Sequence, residues 1–302
     1  MDTTLLPPAA PSRRPAISPA RDQFQSWLMV SLWSLTVLPF VALVASVHAL
    51  NAWQDDRMLQ SQPMHAIYIS VFLTLLVIAL RAATPAAAAT GGIICFCMAL
   101  AASSTTQHLH QTLLPALILL FLLTYSATRL GHARKLSLGI AESLRGRQTR
   151  QIIANLGAAS FAAMAQTITS AFVVGALAAL AEATADTLAS ELGPLLPGPT
   201  ILINTFRRVP RGTDGGVSLG GTLCGIAGAA AITWLGIRAL HLGWLEAKIA
   251  FLAAVFGLFT DSVLGATLER RGYIGNDMVN LVSSGLTVII ATSFALLLLN
   301  YL

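Results

Sequence analysis

Hydrophobic residues occur in this chain as long unbroken blocks, not as the narrow stripes of a soluble helix. Apolar stretches lie at about 27–50, 66–83, 86–103, 112–131, 217–238, 246–268 and 278–300, each close to the ~20 residues that cross a bilayer as a helix. One more, over about 152–192, is too long for one crossing, and Gln166, Thr167, Thr169 and Ser170 interrupt it. It predicts a short helix or re-entrant piece followed by a full helix. No segment alternates polar and apolar residues as an outer-membrane barrel strand does. The pattern therefore predicts an all-α fold, a polytopic transmembrane helical bundle of about eight or nine membrane segments. Residues 1–25, rich in Pro and Ala and carrying Arg13, Arg14 and Arg21, read as a disordered tail. Residues 26–130 read as N-terminal transmembrane helices and 131–302 as the core.

Composition agrees with the pattern. Of 302 residues, 55% are hydrophobic and 10% charged, where a soluble domain carries about 25% charged residues. The net charge of +5 matters through its placement. Arg134, Lys135, Arg145, Arg147 and Arg150 face one acid, Glu142, in the loop from Gly131 to Arg150. Arg207, Arg208 and Arg211 fall in a second loop, and Arg270 and Arg271 in a third. Basic loops stay on the cytoplasmic side, so all three are expected there, in a bacterial inner membrane. Cations confined to short loops beside apolar spans exclude nucleic acid as a partner. Cys95 and Cys97, inside an apolar run with no His or further Cys beside them, read as small core residues. His108 and His110 read as part of a polar loop between helices.

Against this background the polar stretch from Ala181 to Thr222 stands out. Glu182 and Asp186, four residues apart, share one helix face, and ionisable groups in membrane helices mark sites. Such carboxylates suit Mg²⁺, which takes one or two of them plus substrate phosphates. Glu191 lies about 140° round the helix from Asp186. The run RGTDGG at 211–216 precedes an apolar span, so its amides are expected at a helix N-terminus, where anions bind. Arg208 and Arg211 suit phosphate oxygens, and Thr213 and Ser218 offer hydroxyl donors. Asp261, Gly265 and Glu269 recur every four residues, which would let Asp261 complete a metal site and Gly265 leave room for a ligand. Asn276, Asp277 and Asn280 fit a helix start. The chain lacks G-x-S-x-G, H-E-x-x-H and zinc-ligand spacing, and no histidine lies in the acidic or glycine motifs. A kinase acting on an alcohol needs a base; a phosphate acceptor is already ionised.

AEATADTLASELG, RRVPRGTDGGVSLGGT, DSVLGATLE and NDMVN together resemble the integral-membrane family that contains plant phytyl-phosphate kinase and animal transmembrane protein 19. The preceding run with Lys135, Gly139, Glu142, Arg147, Gln151, Asn155 and Gly157 resembles that family's lead-in to its core. The likeness covers roughly residues 125–300, with Glu269 standing where the family is expected to have Gln. The resemblance implies nucleotide-dependent phosphorylation of an isoprenoid monophosphate, such as phytyl or geranylgeranyl phosphate, to the diphosphate, with CTP the expected donor. It assigns catalysis to Asp186, Arg211, Asp261 and Lys135. Metal binding is expected at Glu182, Asp186, Glu191 and Asp261. Cofactor binding is expected at Arg208, Gly212, Thr213, Gly215, Gly216, Ser218, Asn155 and Asn280. The residues also admit a prenol kinase acting on the alcohol, or a transporter or flippase of an anionic lipid.

Overall fold

A computed structural model describes residues 17–54, 62–102, 108–141 and 146–301. Residues 1–16, the loop residues Ser103 to Gln107, and Glu142 and Arg145 lie outside the described residues. The chain is an all-α membrane bundle with ten helices among the described residues: α1 (Pro19–Gln54), α2 (Gln62–Ala79), α3 (Pro85–Leu100), α4 (Leu114–Arg129), the short α5 (His132–Ser137), α6 (Thr149–Ala165), α7 (Ala171–Leu192), α8 (Leu219–Leu240), α9 (Trp244–Leu264) and α10 (Asn276–Tyr301). Five of these are long and apolar enough to cross a membrane, and α2, α3 and α4 supply shorter apolar helices.

The break in the long apolar stretch is a turn between two helices. Gln166 ends α6, and its side chain closes the turn onto the end of α3, donating to Leu100 O at 2.8 Å and accepting from Ala102 N at 2.9 Å. α6 and α7 therefore run antiparallel and pack on each other.

α7 is the axis of the bundle. Within its apolar window 89% of residues are buried, against 17% for α1, and α4, α6, α8, α9 and α10 all pack on it. Its alanine-rich sequence explains this: without a hydrophobic driving force between helices in lipid, close packing of small residues holds them together. α8 answers with Gly225 and Gly228, where a Cβ would press on the Ala185 carbonyl and the Leu188 side chain. α1 lies outside, with Trp27, Leu35, Leu43 and Leu50 exposed.

α1 begins earlier than the sequence pattern predicts, at Pro19 within the expected tail of residues 1–25. Proline is well placed in a first helical turn, and Asp22 there complements the helix dipole. Tertiary contacts hold this start: Arg21 donates to Gly272 O at 3.0 Å, Gln25 to Tyr273 O at 2.8 Å, and Arg150 to Asp22 at 2.9 Å. Deeper, Trp33 Nε1 donates to the buried Ser160 Oγ at 2.9 Å.

These contacts set the two ends of the bundle. One end gathers the start of α1, the α2–α3 turn, the α4–α6 connection, the α7–α8 loop and the α9–α10 turn. Among the described residues it holds every Lys and Arg except Arg238 and Lys248. The α7–α8 loop forms a small antiparallel sheet of order β2-β1-β3, from β1 (Thr200–Leu202), β2 (Arg208–Val209) and β3 (Gly216–Val217).

Candidate active site

Glu182 is 1% exposed at the centre of the bundle. Both of its oxygens are held by α10: Ser283 Oγ donates to Oε1 at 2.9 Å and Ser284 Oγ to Oε2 at 2.5 Å. Ser283 Oγ also lies 3.3 Å from Asp261 Oδ2 on α9, so one hydroxyl stands between two carboxylates. Asn280, a turn earlier on α10, lies between Asp261 and Asn155 of α6. In one orientation its amide nitrogen donates to Asn155 Oδ1 at 3.3 Å; with the amide turned over, the nitrogen donates instead to Asp261 Oδ2 at 3.1 Å. Asp186 lies within electrostatic range of both Glu182 and Asp261, and Glu269 within range of Asp261. Gly257 makes the arrangement possible, since a Cβ there would meet Thr287 Oγ1 and stand 2.6 Å from Glu182 Cγ.

Four carboxylates thus approach one another near the basic end. Neither Glu182 nor Asp261 has a Lys or Arg partner among the described residues. Like charges brought together in a medium of low polarity repel strongly, and a proton or a cation must offset them. The donor chemistry, carboxylates with flanking hydroxyl and amide oxygens, is that of a hard divalent cation. No three of the acids converge at ligating distance among the described residues. The protein's contribution is to bring the acids of α7 and α9 together in the half of the bundle that leads to the basic end.

Several expected site residues are employed otherwise. Lys135, 1% exposed, forms a buried ion pair with Glu191 and also donates to Ala127 O at 2.7 Å and Thr128 O at 3.3 Å. Lys135, expected in catalysis, and Glu191, expected at the metal, are thus each other's partners in this structure. Glu191 is nine residues from Glu182, about 13 Å along the helix, and its charge is matched by Lys135. Arg211 donates to Pro194 O at 2.6 Å and Gly198 O at 3.4 Å, clamping the end of α7 to the sheet. In this structure the residue expected in catalysis ties the loop together.

The glycine run is not a helix N-terminus either. It forms two successive turns, with Thr213 N donating to Pro210 O at 3.3 Å and Gly216 N to Thr213 O at 2.8 Å. Gly212 and Gly215 take the third position of each at φ +74° and +71°, the conformation such turns ask of glycine. Thr213 Oγ1 is committed to Pro210 O at 2.7 Å, and Ser218 Oγ accepts from Gly221 N at 3.1 Å as the cap of α8. These bonds hold the loop together. Gly265 leaves no room for a ligand: a Cβ would stand 2.8 Å from Gly215 N, and one on Gly215 would strike the Ala266 backbone. The loop braces the π-turn Gly265–Glu269 that follows Asp261. Arg208 stays exposed on β2.

The sequence reading missed Ser283, Ser284 and Gly257. The signal was present, since Asn280, Ser283, Ser284 and Thr287 recur at i, i+3, i+4 and i+7 of an otherwise apolar helix, a polar stripe facing inward. Cys95 and Cys97 are buried, and His108 and His110 stack at 5.3 Å between ring centres.

Residues 68–288 match the family described as integral membrane protein DUF92. The chain belongs to this family. The match takes in every residue of the acid cluster and the whole glycine run, leaving out all of α1, the start of α2 and the end of α10. Relatives include a membrane protein of Synechocystis sp., 32% identical over 181 residues that cover 57% of this chain and 69% of that one. Another is "Protein VTE6, chloroplastic" of Arabidopsis thaliana, 29% identical over 182 residues, 57% of this chain and 55% of that one. A membrane protein of Methanocaldococcus jannaschii is 37% identical over 115 residues, 37% of this chain and 47% of that one. The chain spans about half the length of the chloroplast and archaeal relatives. No solved structure matches the chain.

Proposed function

We propose that this DUF92 protein is a membrane-embedded kinase that transfers a phosphoryl group from a nucleoside triphosphate, CTP before ATP, to an isoprenoid monophosphate. The observation that carries this reading is the cluster of Glu182, Asp186 and Asp261 toward the basic end, where Glu182 and Asp261 are held by hydroxyls and amides and, among the described residues, matched by no basic side chain. The motif resemblance to the phytyl-phosphate kinase family and the likeness to the chloroplast relative support it. One or two carboxylates from among Glu182, Asp186 and Asp261, together with the substrate's phosphates, would hold Mg²⁺, which when bound neutralises charge on those phosphates. Most of what phosphoryl transfer needs is such positioning and charge stabilisation. Arg208, exposed beside the loop, is the candidate for the nucleotide's phosphates. Ser283, Ser284 and Asn280 orient the carboxylates.

Among the described residues no histidine hydrogen-bonds to the acids, which favours a phosphate acceptor over an alcohol. The positive-inside rule puts the basic end, and with it the site, in the cytoplasm. The transporter alternative leans on mid-membrane acids and on the interrupted region 152–170, and in this structure the interruption is a turn between α6 and α7 at the far end of the bundle.

The test is direct. Protein purified in detergent with Mg²⁺ is incubated with phytyl or geranylgeranyl monophosphate and CTP, ATP, GTP or UTP, and products are read by mass spectrometry. Diphosphate is expected with one nucleotide and none in Asp186→Asn. Wild-type rates in that variant, or no product from folded wild-type protein with any nucleotide, would overturn the assignment.

A further inference from the structure

A second polar feature adjoins the acid cluster on a neighbouring face of α7. A narrow cleft between α4, α6 and α7 is bordered by Leu120, Thr124, Arg147, Asn155, Ala183 and Thr187. Arg147 stands just before α6, at the basic end, and its position is set by its backbone. Its N–H donates to Ala82 O and its carbonyl accepts from Thr84 N, both at 3.0 Å. Gly146 rests on Ala83, where a Cβ would stand 2.9 Å from Ala83 Cα. The loop before α6 is thus stapled to the α2–α3 turn.

The guanidinium itself makes no hydrogen bond or ion pair among the described residues. In this it differs from neighbouring cations. Lys135 serves Glu191, Arg150 serves Asp22 and Asp277, and Arg211 and Arg134 serve loop carbonyls. The threonines add little polarity to the cleft, because Thr187 donates to Ala183 O at 2.9 Å and Thr124 to Phe121 O at 3.4 Å in their own helices. What remains is one cation, one amide and an otherwise apolar wall. That is the complement of a phosphate monoester carried on a hydrocarbon chain, since a planar guanidinium grips phosphate oxygens in pairs. Asn155 also adjoins Asn280, which adjoins Asp261. A phosphate at Arg147 and Asn155 is therefore separated from the acids by a pair of amides.

We propose that this cleft binds the acceptor lipid, its phosphate at Arg147 and Asn155 and the first part of its chain along Leu120 and Ala183. The inference rests on the kinase reading and adds to it the place of the acceptor. The test uses the full chain in detergent with Arg147→Gln and Ala183→Leu. Binding of geranylgeranyl monophosphate and of geranylgeraniol is measured by native mass spectrometry, beside KM values for lipid phosphate and nucleotide. Replacing the Arg147 side chain keeps both backbone bonds, so folded yield should hold. Arg147→Gln is expected to weaken lipid phosphate binding and raise its KM about tenfold, as loss of a charged hydrogen bond does. Geranylgeraniol binding and the nucleotide KM should stay unchanged. Ala183→Leu should weaken binding of both lipids. A shift in the nucleotide KM alone, or wild-type lipid phosphate binding in both variants, would overturn the proposal. If wild-type protein turns over no nucleotide while both variants lose lipid phosphate, the kinase reading fails and the cleft stands.

Discussion

Glu182 and Glu191 lie on the same helix, are 1% and 7% exposed, and have opposite fates. Glu191 meets Lys135, itself buried, and the pair ties α7 to the α4–α5 connection. Glu182 meets two serine hydroxyls and, beyond them, other carboxylates. A buried charge with a matched partner is an element of structure. One held in place by neutral groups, close to like charges, needs a proton or a cation to offset it. Burial alone separates the two poorly; the partner separates them.

Breaking the pair should give the largest loss of stability. Lys135→Ala or Glu191→Ala leaves one buried charge unmatched and is expected to cost about 3–5 kcal/mol, read as a lower melting temperature in detergent. Lys135→Met combined with Glu191→Leu should recover most of it; a double variant as unstable as either single one would break the comparison from this side.

The acids of the cluster should behave in the reverse manner. Asp261→Asn is expected to keep or raise the melting temperature, because it removes a repelled charge, while phosphoryl transfer falls at least about 100-fold. Stability lost in step with activity would place Asp261 with Glu191 as a structural acid. Gly257→Ala tests the space around Glu182. Its new methyl collides with Thr287 and the Glu182 stem, an overpacking worth about 1–3 kcal/mol, and activity should fall with it. The smallest effect is expected of Ser283→Ala. Losing the hydroxyl between Glu182 and Asp261 should cost about 1 kcal/mol of stability and roughly tenfold in kcat, with the nucleotide KM unchanged. An identical kcat would remove Ser283 from the positioning of the acids.

Membrane helices were legible because their signal is local: a run of apolar residues long enough to cross hydrocarbon states its own structure. The predicted spans meet the observed helices within a few residues at most ends, and the interrupted stretch at 152–192 resolves into α6 and α7. The start of α1 was missed because its support is distant. Residues Pro19 to Gln25 read as a polar tail until Gly272, Tyr273 and Arg150 are brought beside them.

The site divides along the same line. Spacing alone put Glu182 and Asp186 on one face of a helix and marked Asp261 as costly to bury, because helical periodicity and the price of a charge in lipid are properties of the chain. Which acids meet, and which cation belongs to which acid, depends on side chains more than fifty residues apart. Lys135 reaches Glu191 and not Glu182; Arg211 turns onto the Pro194 and Gly198 carbonyls; the glycine run closes into turns against Ala266. By itself the sequence determined the membrane bundle, the basic loops and the residues expensive enough to matter. Only the tertiary structure decided which of those charges meet a basic partner among the described residues and which meet hydroxyls and other acids, since that is settled by the side chains each charge meets across helices.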